Sequence, residues 1–239
     1  MSSSFNHGAL VVVGSGPGIG VHVAAAFASH GFKKIILLSR NAERLLQDAD
    51  AVKKKSNSAA CVHTISTDIA DTAKLQQSLA EVDRLLDDTT PLECVLFNAA
   101  RVGLSKLLEF PVSEVEADLR TTVTGLYTTA QWALPHLLEL TSSPAHKPSF
   151  LVTNSMLHSD PYPHLFSLSL CKAAQYNLTQ SLAREYGPRG IHCALVVVCE
   201  PVHDGQRNAN ARNIGERAWE VEKKVRQEED LVAMGFAVV

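Results

Sequence analysis

The chain has 239 residues, enough for one sizeable core, and its 46% hydrophobic and 20% charged residues are ordinary for a globular protein. The formal net charge is −3, and Lys53-Lys54-Lys55 is the only basic block. That triplet reads as a solvated helix face, so no nucleic-acid partner is expected. No apolar run is long enough to span a membrane, and residues 1–8 lack the basic and apolar regions of a secretory signal, so a cytoplasmic setting without membrane attachment is expected.

In chain order, apolar strand-like runs fall at 9–13, 34–39, 59–66, 92–97, 149–153 and 192–198, with a further one at 231–239. Helical patterns lie at 18–31, 41–55, 72–87, 113–140, 167–186 and 211–228. Breakers fall between them, at His30-Gly31, Thr89-Thr90-Pro91, Ser142-Ser143-Pro144 and Gly187-Pro188-Arg189-Gly190. Strands separated by helices of this length imply βαβ crossovers and a parallel sheet covered on both faces. No linker, repeat or low-complexity tract interrupts the pattern, so 1–239 is expected to be a single α/β domain.

The first strand runs into Gly14-Ser15-Gly16-Pro17-Gly18-Ile19-Gly20, and a helical pattern starts at once. Glycine lets the backbone turn tightly and approach phosphate closely, while a helix start offers free N–H groups and a positive dipole end. In a strand-to-helix context this spacing points to a dinucleotide pyrophosphate and to a Rossmann-type, doubly wound sheet of about seven strands. The second strand ends at Ser39-Arg40-Asn41. An acidic residue there would bind ribose hydroxyls, whereas a guanidinium suits a 2′-phosphate, so NADP(H) is expected over NAD(H). Three more segments sit at carboxyl ends of strands, where open α/β sheets bind ligands: Thr67-Asp68-Ile69, Phe97-Asn98-Ala99-Ala100 and Thr153-Asn154-Ser155.

Cys61, Cys94, Cys171, Cys193 and Cys199 form no C-x-x-C pair, and the four in or beside strands (61, 94, 193 and 199) read as small buried hydrophobes of a reducing compartment. The ten histidines show no metal-ligand spacing; His158 and His164 share a segment but lack a third ligand, so no metal is expected.

In this order and with these gaps, the motifs resemble the short-chain dehydrogenase/reductase family over nearly the whole chain. Gly14-x-x-x-Gly18-Ile19-Gly20 matches its cofactor turn, Asp68-Ile69 its adenine contact, and Asn98-Ala99-Ala100 its Asn-Ala-Gly element with alanine for the last glycine. By this resemblance Ser155 is the catalytic serine and Lys172 the catalytic lysine, which also bonds the nicotinamide ribose. The segment from Asn213 to Trp219 resembles a C-terminal helix of some shorter members.

The chain departs from that family at three places. Leu168 stands where a tyrosine four residues before the lysine supplies the proton; leucine cannot donate one. Thr122 stands where an asparagine holds a relay water, and Glu200-Pro201-Val202 replaces a Pro-Gly turn beside the nicotinamide. Tyr162, Tyr176, His158, Asp160 and His164 are alternative donors that the sequence leaves unranked. The expected cofactor set is Gly14, Ser15, Gly16, Gly18, Ile19, Gly20, Ser39, Arg40, Asn41, Asp68, Ile69, Asn98, Ala99, Ala100, Thr153, Lys172, Pro201 and Val202. Three readings stand, in this order: an atypical NADP(H)-dependent oxidoreductase of a small organic carbonyl or imine; a non-redox cyclase or isomerase; and a non-catalytic NADP(H) sensor. The polar segment 202–212 is expected to cover the substrate pocket. The resemblance also implies a homo-oligomer, a dimer or tetramer, paired through helices 113–140 and 167–186. Leu126, Trp132, Leu134, Leu137, Leu170, Leu178 and Leu182 supply their apolar content, which packing on a sheet requires equally.

Overall fold

A computed structural model describes residues 7–57, 59–199, 202, 210–227 and 236–238, with the side chains of 223–227 and 236–238 left aside. Six strands form the body of one parallel sheet: β1 (His7–Val13), β2 (Phe32–Ser39), β3 (Cys61–Ser66), β4 (Leu92–Phe97), β5 (Ser149–Ser155) and β6 (His192–Val198). A three-residue β7 (Phe236–Val238) pairs with β6 at the edge, much shorter than the expected run over 231–239. The order is β3-β2-β1-β4-β5-β6-β7, so the winding reverses between β1 and β4. In register, Val13 pairs with Leu38 on one side and Phe97 on the other, which brings three strand ends to the reversal point.

The strands are apolar on both faces because both faces are covered. Leu10 and Val12 pack toward α1 (Ile19–Ser29), α2 (Ala42–Lys55) and α7 (Ala211–Gln227). Their neighbours Val11 and Val13 pack toward α3 (Thr72–Asp83), α5 (Gly125–Leu140) and α6 (Phe166–Tyr186). At roughly 2 kcal/mol for each fully buried large aliphatic side chain, these two layers supply the main stabilisation of the fold.

Two expectations need correction. The helix expected at 113–140 is broken: α4 (Val112–Leu119) leads into a π-helical turn, Arg120–Thr124, before α5 begins at Gly125. The turn lets α5 lie close on the strand ends, since a Cβ on Gly125 would sit 2.7 Å from the Ile69 side chain. Cys61 is exposed at the start of the edge strand β3 and Cys199 is half-buried, whereas Cys94 and Cys193 are buried as expected and Cys171, on α6, is buried too. Leu126, Leu134, Leu137 and Leu182 belong to the core, Trp132 and Leu178 pack at its margin, and Leu170 is exposed. Most of the apolar content of those helices is therefore spent on the sheet. Among the described residues, no helix is long and apolar enough to cross a membrane.

Candidate cofactor and active site

The glycine turn sits at the β1–β4 reversal, the place where open α/β sheets leave a crevice for a ligand. Its glycines are not equivalent. Gly14 has φ +98°, and a Cβ there would lie 2.5 Å from the Ala99 nitrogen, so the backbone demands glycine. Gly20 is tight as well, 2.9 Å from the Gly14 carbonyl. Gly16 and Gly18 have nothing within 4 Å of an added Cβ, so these two leave room for something other than protein.

Several of the expected cofactor residues build the turn. Asn98 braces it twice: its backbone N–H donates to Val13 O at 2.8 Å, and Nδ2 donates to Gly14 O at 2.9 Å. Ser15 was expected at the cofactor, but its N–H donates to Leu38 O and its hydroxyl to the buried Asp48 carboxylate at 2.8 Å. Arg44 holds the other Asp48 oxygen from one turn earlier on α2. Asp48 carried no signal of its own beyond that i, i+4 spacing. The Asn41 side chain caps α2, accepting from the Arg44 N–H. The Ile69 and Ala99 side chains lie in the core.

Other residues are left open. Arg40 is exposed at the end of β2, and its guanidinium has no ion-pair or hydrogen-bond partner among the described residues. Ser39 is half-buried beside it. The Asp68 carboxylate accepts from the Ala70 N–H at 3.1 Å, and Ala100 is half-buried after β4. Thr67, Thr153 and Ser155, at the carboxyl ends of β3 and β5, have buried hydroxyls with no hydrogen-bond partner among the described residues. A buried hydroxyl without a partner is uncommon in a folded protein. The opposite edge holds another such group: Ser149 Oγ and both His192 ring nitrogens, on register partners of β5 and β6. Burial holds His192 neutral, with its pKa down to about 4.

Lys172 reaches the site from α6. It is buried, and its ammonium donates to Thr153 O at 2.8 Å and to Gln175 Oε1 at 2.9 Å. Burial lowers its pKa from 10.5 to about 8, against a small opposing field from Cys171. Asn154 ties the same helix down, donating from Nδ2 to Lys172 O at 3.0 Å. Ser155, Thr153 and Lys172 are thus brought together, with Leu168 on the turn before Lys172 only 7% exposed.

The match to known proteins follows the same frame. The family model of the short-chain dehydrogenases matches residues 9–213. The chain belongs to the short-chain dehydrogenase family. It is 30% identical over 186 residues to an uncharacterized oxidoreductase of Staphylococcus aureus (strain USA300), covering 76% of this chain and 72% of that one. A glucose 1-dehydrogenase of Gluconobacter oxydans (strain 621H) is 27% identical over 188 residues, covering 78% of this chain and 66% of that protein. Among solved structures, the NADH-dependent reductase A1-R′ complexed with NAD superposes with a TM-score of 0.81 at 14% identity, over 100% of this chain and 96% of that one. A mutant short-chain dehydrogenase/reductase of Serratia marcescens gives 0.81 at 20% identity, over 98% of each chain. These two show the shared fold.

In this short-chain dehydrogenase the alternative proton donors separate by position. Tyr162, Asp160 and His164 are exposed. Tyr176 stacks on His158, ring centroids 4.4 Å apart and planes 7° apart. His158 is half-buried, and its Nδ1 lies 2.7 Å from Ser155 O, an oxygen that can only accept, so Nδ1 carries a hydrogen. Thr122 is buried inside the π-helical turn, a feature frequent at functional sites. Val202 is exposed; Glu200, Pro201 and most of segment 202–212 lie outside the described residues. Sequence reasoning missed Gln175, although its position three residues after Lys172 puts both on one helix face. It also missed the joint between α4 and α6, where Asp118 accepts from Arg101 at 2.9 Å and from the Ser167 hydroxyl at 2.5 Å.

Proposed function

We propose that this chain is an NADP(H)-dependent oxidoreductase that reduces a small organic carbonyl or imine without the phenolic proton donor usual in its family. One observation carries the reading. At the carboxyl edge of the sheet, a buried ammonium (Lys172) and a buried, unpartnered hydroxyl (Ser155) stand with a glycine turn whose Gly16 and Gly18 leave open space. These features fit a nicotinamide dinucleotide. The turn and the start of α1 suit its pyrophosphate, with Ile19 at the first helical position. Asp68 would meet its adenine end, and Asn98 to Ala100, Thr153, Lys172 and Val202 would hold its nicotinamide end. The reductase superposed above, solved with NAD, supports a nicotinamide cofactor. The free Arg40 guanidinium supports a 2′-phosphate, hence NADP(H). Ser15 and Asn41 take part through the turn and helix that they brace.

When bound, the cofactor supplies a hydride. The protein then has to orient the substrate and deliver a proton. Ser155 donates to the substrate oxygen or nitrogen, and Lys172 fixes the ribose with its remaining N–H. Leu168 offers no proton, so an iminium, which accepts hydride without leaving charge on oxygen, is the more natural substrate. A carbonyl forfeits about 10²–10⁴-fold without a general acid. The assay is stopped-flow absorbance of bound NADPH against carbonyl and iminium panels, with Arg40→Ala as control. Oxidation by either panel, and a loss of affinity in Arg40→Ala confined to NADP(H), are the expected results. Equal losses for NAD(H) and NADP(H) would reject the phosphate assignment.

Leu168 also supports a second reading, a cyclase or isomerase in which the cofactor only shapes the pocket; turnover without NADPH consumption would select it. Turnover of neither kind would leave an NADP(H) sensor. We further propose a homo-oligomer through α4, α5 and α6, resting on the exposed Tyr127 and Leu170; sedimentation of the purified chain tests it.

A further inference from the structure

Gln175 is wholly buried on α6, and both ends of its amide are used on the site. Oε1 accepts from the Lys172 ammonium at 2.9 Å, and Nε2 donates to Thr122 O at 3.2 Å. The two partners settle the amide's orientation: an ammonium only donates and a carbonyl only accepts, so a flipped amide would face mismatched groups on both sides. Helical spacing delivers the first contact. The second needs the π-helical turn at Arg120–Thr124, which brings a main-chain carbonyl to α6. We propose that Gln175 is a positioning residue, whose side chain clamps the Lys172 ammonium to the Thr122 carbonyl and so sets where the lysine can donate. This rests on the reading of Lys172 as the cofactor-contacting lysine.

The hydrogen count gives the clamp its effect. An ammonium has three N–H donors. Thr153 O takes one and Gln175 Oε1 another, leaving one for a ligand. Leu168 on the preceding turn provides no acceptor to steer it. The direction of the third donor is therefore set by the two protein acceptors, and of these only Gln175 is a side chain. Ionisable groups on the surrounding elements include Cys171 beside the lysine, Tyr176 one turn on, His158 after β5, and Asp118 on α4, already paired with Arg101. Cys171 is the group beside Lys172 that could act on it when charged, but burial raises its thiol pKa to about 11, so it is neutral where the lysine titrates.

The test follows the titration of Lys172 by NMR in cofactor-free protein carrying 13C-labelled lysine, with the signal assigned by its loss in Lys172→Met. Gln175→Leu removes an acceptor of the charged form and should lower the lysine's proton affinity about tenfold. Gln175→Glu places a carboxylate against the ammonium and should raise it by a similar factor. NADPH binding, read by fluorescence, should weaken about tenfold in Gln175→Leu. A residue that merely fills space would not move the two lysine midpoints in opposite directions. Unchanged midpoints in both variants would overturn the proposal. If Gln175→Leu does not fold, the absence of an upward shift in Gln175→Glu overturns it alone. Midpoints that move as expected in a protein that binds no NADPH would uphold the clamp and reject the cofactor reading instead.

Discussion

Replacing Lys172 with methionine sets the cost of a buried charge against the bonds that hold it. The fall in pKa from 10.5 to about 8 makes the charged form about 3 kcal/mol costlier in the folded chain than in the unfolded one. Methionine removes that cost and fills a similar volume. It also leaves Thr153 O and Gln175 Oε1 without their donor, at about 1–3 kcal/mol each. Near neutral pH the two effects largely offset, and the net change should be small or modestly destabilising. The pH dependence is sharper. Below about pH 8 the lysine is protonated in both states, and the full cost of burial is present. As pH rises from about 8 to 10.5, the folded chain sheds this proton before the unfolded chain does, so wild-type stability is regained. The wild-type protein should therefore gain about 3 kcal/mol relative to Lys172→Met across that window. Urea unfolding of both proteins without cofactor, at several pH values, measures the difference directly and cancels the other titrating groups. A difference that stays flat with pH would refute a depressed, buried lysine.

Four further substitutions separate the roles of neighbouring residues. Gly14→Ala forces a side chain into φ +98° and against the Ala99 backbone, and should cost at least about 2 kcal/mol of stability. Gly16→Ala, with open space around it, should change stability by less than about 0.5 kcal/mol while weakening NADPH binding; melting curves and cofactor titration together check the contrast. Leu168→Tyr restores a donor one turn before Lys172, and steady-state carbonyl reduction should rise about 10²–10⁴-fold if the remaining site is competent. His158→Phe keeps a ring to stack on Tyr176 but removes the proton; reduction should fall with NADPH affinity unchanged if His158 supplies the proton that Leu168 cannot.

Much of the fold is legible in the chain because its signals are local. The runs at 92–97 and 192–198 are long, apolar and bounded by breakers, and both appear as strands with those limits. The break in the 113–140 segment is not legible, since a single π-helical turn of five residues is too short to show in the apolar spacing of the α-helices on either side. It arises where the chain must close on Ile69 from another strand end. The Cys61 error has the same origin: a residue on an edge strand and one on a central strand look alike in sequence.

The sequence alone determined that a glycine turn follows the first strand, that a basic residue ends the second, and that a leucine stands one helical turn before Lys172. Those are matters of residue type and short spacing. Only the tertiary structure decided which of the expected residues brace the turn and which remain open. Ser15 is tied to Asp48, Asn41 to the α2 backbone and Asn98 to Gly14, whereas the Arg40 guanidinium and the Ser155 hydroxyl have no partner among the described residues and the space at Gly16 is open. A hydrogen bond is made by whatever lies within about 3 Å. For Ser15 and Lys172 those partners lie on segments 33 and 19 residues away, so only the folded chain could assign them.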